Sequence, residues 1–529
     1  MKRCSRSTWL AFVSCVPVLA GACGPKYEAP PPEVPAAAAA SSGKARARAG
    51  NCGGMRALPA AGLSDDQITA AVVLELIQDP SIDAAHIRLE THDGIVELEG
   101  STTNVLGKQR AAAHAELIKG VRAVIDRVKV EPPEVSDEEL LESVHHALVL
   151  DPAANSYQIQ IGAHRGIVTL QGAVDSFAQR QLADVVASGV RGVREVENRI
   201  TIRPSPSRPD SEIEADVSDR LRWDVLIDAT KLSVESEDGM LSLDGRVGTP
   251  AERSRAYANA WVRGVRSVDV SELYVSPELT DHELRRASAH PPDTEVANAV
   301  GEALSYDPRV QRGDVRIRVA NGVVALEGQV DNLKAKRAAE EDARETVGVV
   351  RIDDRIAVRT AEQIQDREIA QRVGLMLALN PRTSGYPIAV EARDGLVVLR
   401  GAVSSYFEKA QAEDLAAGVL GVHDVENDLS VHAQILPYTR DPYLYPYELY
   451  GPERAGAATP TRSDAEVAQA IERKLLWSPF VDASHIGACV NDGKAVLTGF
   501  ADSAREYETA ARLALDSGAV VVSNQLVLR

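Results

Sequence analysis

At 529 residues the chain is too long for one hydrophobic core and implies several domains. Hydrophobic residues make up 44% and charged residues 26%, a globular balance that argues against wholesale disorder and against a protein of many membrane spans. With 58 basic and 77 acidic residues the net charge is −19, which opposes non-specific nucleic-acid binding and repels a uniformly anionic membrane surface, so any acidic partner must be met locally.

The chain opens with Lys2 and Arg3, an apolar stretch from Trp9 to Val18, and small residues leading to Cys23; this is the pattern of an export signal over residues 1–22. Leu19-Ala-Gly-Ala-Cys23 resembles a bacterial lipoprotein box, with its Leu one residue further out than usual. The resemblance implies acylation of Cys23, and Gly24 in place of Asp points to the outer membrane; simple secretion is the other reading. Residues 23–62, rich in Pro, Ala and Gly, read as a flexible tether. No later stretch offers about 18 uninterrupted apolar residues, so the rest is expected not to span a bilayer. Beyond the signal and Cys23 there remain Cys52 and Cys489, which either pair in an oxidising compartment or stay free. The distance between a tether cysteine and one near the end of the chain favours free thiols.

From residue 63 onward a single unit recurs six times. Each copy begins with apolar residues at i, i+4 and i+8, as in Ile68/Val72/Leu76 and Val467/Ile471/Leu475, the spacing of a helix with one apolar face. An acidic residue opens each helix (Asp65, Asp137, Asp210, Asp293, Asp366, Asp464), favourable at the positive helix end. Capping boxes are expected at Ser64/Gln67, Ser136/Glu139 and Ser463/Glu466. A hairpin follows, its turn marked by Gly94, Gly166, Gly239, Gly322, Gly395 and Gly493. Six residues after each turn glycine stands a second one, from Gly100 to Gly499, and the stretch between reads as a strand. A second helix then carries two alanines on one face, such as Ala111/Ala115 and Ala339/Ala343, small enough to let it approach the sheet closely. A Gly-Val pair follows in five copies, with Gly518-Ala519 in its place in the last, and a closing strand completes the unit.

The fold class is therefore α+β: six tandem αββαβ modules, each a three-stranded mixed sheet with two helices packed on one face. The modules fall at 63–133, 135–204, 208–278, 290–360, 362–434 and 461–529, with a Tyr/Pro-rich linker at 435–460. The third copy departs, with Met240 and Leu241 in its strand and a shorter gap from Gly245 to Gly264. Units of this size, about 70 residues, lie near the lower limit for independent stability, so docking between neighbours, or pairing with another chain, is expected.

The Gly-x-Val-x-Leu-x-Gly strand, and the later Gly-Val with Val-x-Asn (Gly192 with Val196 to Asn198, Gly421 with Val425 to Asn427), resemble the BON domain, a bacterial module of periplasmic osmotic-stress proteins and envelope lipoproteins. The resemblance implies a binding role and no catalysis: contact with membrane phospholipid headgroups or envelope proteins, in support of envelope integrity or stress tolerance. The alternative is a periplasmic scaffold or spacer whose modules bind one another.

Trp223, Tyr306 and Trp477 each end a first helix. As amphipathic rings they suit a membrane interface, and as large aromatics they suit burial at a helix end, the weightier reading. Tyr438, Tyr443, Tyr445, Tyr447 and Tyr450 crowd the linker and suit an extended recognition segment for a partner, or packing on neighbours. The paired positions His86 and His485 read as structural, and adjacent His145 and His146 do not face each other on a helix. No catalytic or metal motif appears, so no enzyme activity, metal or cofactor is expected; self-association is compatible with the repeats, and nucleic acid is not an expected partner.

Overall fold

The computed structural model describes residues 63–528 apart from 80–81, 155–157, 204–207, 281–290, 311–314, 360–363, 432–462, 492 and 520. Cys23, the export signal, the tether before residue 63 and the five linker tyrosines lie outside the described residues.

In the first module, Ser64 caps the helix Asp65–Gln78 and Gln67 completes a reciprocal capping box. The hairpin Ile87–His92 and Ile95–Thr102 follows, then the helix Val105–Glu116 and the strand Ala123–Val130. The middle strand pairs antiparallel with the first, Leu89 opposite Leu98, and parallel with the last, Ile95 opposite Ala123. This mixed three-stranded order recurs through the chain. The capping box is complete again at Ser463, whereas Ser136 only accepts from the Glu139 amide.

Repetition in sequence becomes repetition in packing. The alanine pairs of all six second helices are buried, Ala111, Ala115, Ala183, Ala339 and Ala510 among them. They face Leu98, Leu170, Leu243, Leu326, Leu399 and Leu497, the buried leucines of the six middle strands. A larger side chain at the alanines would have no space to enter at crystal-like packing density.

Two glycines per module have backbone reasons to be glycine. Asp93 and Gly94 both take positive φ, 51° and 74°, as a tight two-residue hairpin turn requires. A Cβ on Gly100 would lie 1.9 Å from the His86 carbonyl oxygen, so the neighbouring backbone itself excludes a side chain there.

The acidic helix start has a second role that composition does not show. Asp65 accepts from the Asp93 and Gly94 amides, both at 2.8 Å, which ties helix to hairpin turn. Asp210 and Asp293 repeat it at 2.8–3.0 Å. These backbone hydrogen bonds hold the Asp210 and Asp293 carboxyls below the usual range, Gly239 and Gly322 being the first donors.

The third module departs physically as well. Its second helix, Pro250–Asn259, has 10 residues against 12 in the first module, and its closing strand is split into Ser267–Asp269 and Leu273–Val275. Both pieces still pair parallel with the middle strand Met240–Val247.

Candidate functional site

The six modules pair in nested order: third with fourth, second with fifth, first with sixth. Each pair is joined by one recurring contact. The residue before the Gly-Val glycine donates its amide to the carbonyl of the last first-helix residue in the other module. Val347 donates to Trp223 at 2.9 Å, Arg191 to Leu379 at 2.7 Å, and Lys119 to Trp477 at 3.1 Å. At the third–fourth seam Val225 also donates to the Glu345 carbonyl at 2.9 Å, and Asp224 and Thr346 form an antiparallel bridge.

The helix-end residues thus sit at seams. Trp223 packs against the core of the fourth module, Tyr306 against the third, Trp477 against the first, and Leu379 against the second. All three rings are half-buried. The exchange of Trp223 and Tyr306 is reciprocal, each filling space beside the other's core.

Charges at the seams are buried and met. Asp79, directly after the first helix, receives Arg110 at 2.6 Å and His114 at 2.7 Å. Asp224 takes the corresponding place in the third module and receives Arg255 at 2.5 Å and Asn259 at 2.6 Å; Arg255 also reaches across to Glu345 at 2.5 Å. Asp151 receives Lys334 from the fourth module at 2.6 Å. Lys474 of the sixth module bonds Glu75 of the first at 3.0 Å, with side chains only 6% and 10% exposed. Such pairs must be complete, because a single buried charge without its partner is strongly unfavourable. The acidic residue that follows the first helix, at Asp79, Asp151 and Asp224, is therefore a charged anchor, and nothing in the spacing alone identifies its partner.

Second helices link the pairs to one another. Phe177 of the second module stacks on Trp261 of the third, ring centroids 4.8 Å apart, and Arg110 of the first lies 4.7 Å over the Phe407 ring of the fifth. Arg337 of the fourth bonds Glu413 and Asp414 of the fifth at 2.5 and 2.8 Å, and Arg344 bonds Glu508 of the sixth at 2.9 Å.

Between the third and fourth modules, closed on one side by the second helix of the second, lies a cavity of about 560 Å³. Trp223, Tyr306, Arg220, Asp342 and Glu345 line it. The Arg220 guanidinium stands 4.4 Å over the Tyr306 ring. Asp342 Oδ2 is cut off from solvent without a hydrogen-bond partner, and burial, then the nearby Asp307 charge, push its carboxyl well above the usual range.

His86 and His485 pair locally with Asp83 and Asp482, both at 2.9 Å, the structural role read from sequence. Cys489 corrects an expectation: it is disulfide-bonded, not free. Among the described residues no cluster of three or more His, Cys, Asp or Glu could hold a metal ion, and no helix is long and apolar enough to cross a membrane.

Fold and seams define a tandem array of small α+β modules that dock on one another through the ends of their first helices. The family model for the BON domain matches residues 64–132, 136–204, 209–277, 292–360, 365–433 and 463–529, and the chain belongs to the BON domain family. It is 30% identical over 143 residues to osmotically-inducible protein Y of Escherichia coli, covering 26% of this chain and 71% of that protein. It is 28% identical over 158 residues to outer membrane lipoprotein DolP of Haemophilus influenzae, covering 28% and 82%. Among solved structures, CdsD, a structural protein of the type III secretion system of Chlamydia trachomatis, matches at 17% identity over 42% of this chain and 98% of that one, with a TM-score of 0.12, a superposition from which nothing is carried to this chain.

Proposed function

We propose that this chain is a non-catalytic scaffold of the bacterial cell envelope whose BON modules bind one another and present their remaining surfaces to envelope proteins. The observation that carries the reading is the recurring seam: Trp223, Leu379 and Trp477 each give their carbonyl to another module and lie against that module's core. Insertion of Trp223, Tyr306 and Trp477 into phospholipid would require the rings to leave these seats. The names of the two relatives, one osmotically inducible and one an outer membrane lipoprotein, support an envelope location and a part in stress tolerance. Lipid anchoring at Cys23 belongs to the same proposal.

The test uses protein lacking its lipid, mixed with neutral and anionic vesicles across a salt series. The scaffold reading expects no co-sedimentation at any salt, consistent with a net charge of −19 and mutual repulsion with anionic lipid. Salt-sensitive binding to anionic vesicles that disappears in Trp223→Ala/Trp477→Ala would overturn it in favour of direct phospholipid contact.

A further inference from the structure

We infer that the cavity between the third and fourth modules is a binding site for a small zwitterion, an amino acid whose carboxylate meets Arg220 and whose ammonium meets Asp342.

Two charges are missing from this seam. In the first–sixth seam the buried pair Glu75 and Lys474 is formed by equivalent residues, each seven places after the first apolar residue of its helix, Ile68 and Val467. In the third–fourth seam the same two places hold Arg220 and Ala303, and both line the cavity. Arg220 has thereby lost its counter-charge. Its guanidinium rests on the Tyr306 ring at 4.4 Å and forms no ion pair or hydrogen bond among the described residues.

Asp342 is the complementary case. The anchor Asp79 lies 31 residues before Arg110 and 35 before His114, and Asp224 stands at the same intervals from Arg255 and Asn259. At those intervals from Asp307 stand Ala338 and Asp342, so the cation is absent and the hydrogen-bond donor is replaced by a second acid. Arg309 covers Asp307 from the same loop at 2.6 Å, and Asp342 Oδ2 is left unmet. Burial is the first cause that lowers the Arg220 guanidinium and raises the Asp342 carboxyl, the directions expected of charges enclosed without counter-ions. Asp307, Glu341 and Glu345 raise Asp342 further, and Arg309 opposes them.

Two alanines thus replace two charges of opposite sign beside a cavity of about 560 Å³, within the roughly 300–1,000 Å³ of small-molecule sites. A ligand carrying one charge leaves the other group unmet, whereas a zwitterion meets both. The guanidinium fork takes a carboxylate through two parallel hydrogen bonds. An ammonium beside Asp342 returns that carboxyl to its charged form, the proton leaving to solvent. Leu182 and Trp223 offer apolar wall to the carbon chain between the two charges, and Val185, which also lines the cavity, is 55% exposed, so the site opens to solvent beside the second module. Because the ligand bonds Arg220 of the third module and Asp342 of the fourth at once, it holds their seam closed.

Calorimetry on the full chain uses glycine, β-alanine, γ-aminobutyrate and ε-aminocaproate, whose ammonium and carboxylate stand progressively further apart, with butylamine and butyrate as single-charge controls. At least one of the four is expected to bind with a Kd below about 1 mM, about tenfold or more tighter than either control, and to slow exchange of the Val347 amide that closes the seam. Arg220→Gln and Asp342→Asn should each weaken that binding about tenfold or more. Ala303→Glu, which restores a counter-charge to Arg220 within the protein, should abolish it in a chain that still folds, as judged by protection of the Val324 amide. Absence of saturable heat from all four amino acids, butylamine or butyrate binding as tightly as the best of them, or unchanged binding in folded Ala303→Glu overturns the assignment.

Discussion

Replacing Trp223 with Ala tests the seam. Large aromatic side chains bury about 150–250 Å²; with the ring half-buried against the fourth module's core, about 100 Å² is lost, or about 2.5 kcal/mol at 25 cal/mol per Å². The backbone bonds of Val347 to Trp223 and of Val225 to Glu345 remain possible, but the packing that holds them closed is removed. Because the modules have separate cores, the loss should appear as local opening of the seam and not as global unfolding. Amide hydrogen exchange reads this directly: the Val347 and Val225 amides should exchange about 50- to 100-fold faster, from 1.36 kcal/mol per tenfold, while the Val324 amide in the fourth module's sheet stays protected. Tyr306→Ala should loosen the same two amides. Unchanged exchange at Val347 in Trp223→Ala would show that the ring does not hold the seam, and the packing argument for all the helix-end residues would fall with it.

Lys474→Met leaves Glu75 buried with only His114, at 3.9 Å, beside it and should destabilise the first–sixth seam by up to about 3–5 kcal/mol, whereas Lys474→Met with Glu75→Leu should recover most of that in urea titrations; equal losses in both would refute the pairing. Glu340 has a pKa near 7, raised first by burial and then by its hydrogen bond to Asp354. Its folded state keeps a proton that the unfolded chain releases near 4.5, so this contribution is complete below pH 4.5 and is lost as pH rises through 7. Glu340→Gln, discounted for partial exposure, should gain about 1 kcal/mol at pH 8 and nothing at pH 4; a gain independent of pH in thermal melts would rule this out. Ala339→Leu overfills the fully buried contact of the second helix with the sheet and should cost at least about 1–3 kcal/mol, measured by chemical denaturation; a neutral result would mean the helix has room to move away.

The modules were legible in the sequence because each of their parts follows a local rule. Periodicity gives the helices, the turn glycines need positive φ, and paired alanines face the sheet whichever module they belong to. The Val-x-Asn signature also has a local cause: Asn198 donates to the Arg180 carbonyl at 3.0 Å and accepts from Ile200, tying the closing strand to the second helix. The seams were only half legible. An aromatic at a helix end announces that it needs cover, but Trp477 finds that cover in the first module, and no periodicity carries information across such a distance. The same holds for Lys474 and Lys334, which on sequence are ordinary helix-surface lysines and in the fold complete buried pairs with Glu75 and Asp151.

Nested pairing also changes what repetition does here. A string of independent modules would raise affinity for a surface by engaging several sites at once, roughly 10² to 10⁴ above a single site when geometry allows. In this chain the repeated feature, the end of the first helix with its following acidic or polar residue, is consumed at the seams: Trp223, Leu379 and Trp477 bond other modules, while Asp79, Asp151 and Asp224 are buried with cations. A surface closed on another module of the same chain is not available for outside contacts at the same time. What is left outward differs between modules: the sheet faces of the fourth and fifth carry ion pairs, while that of the sixth exposes Phe500, Val521 and Val527 among polar residues. On the proposed scaffold role, a partner would be selected by these divergent faces, and the shared geometry of the six copies would hold the faces in position.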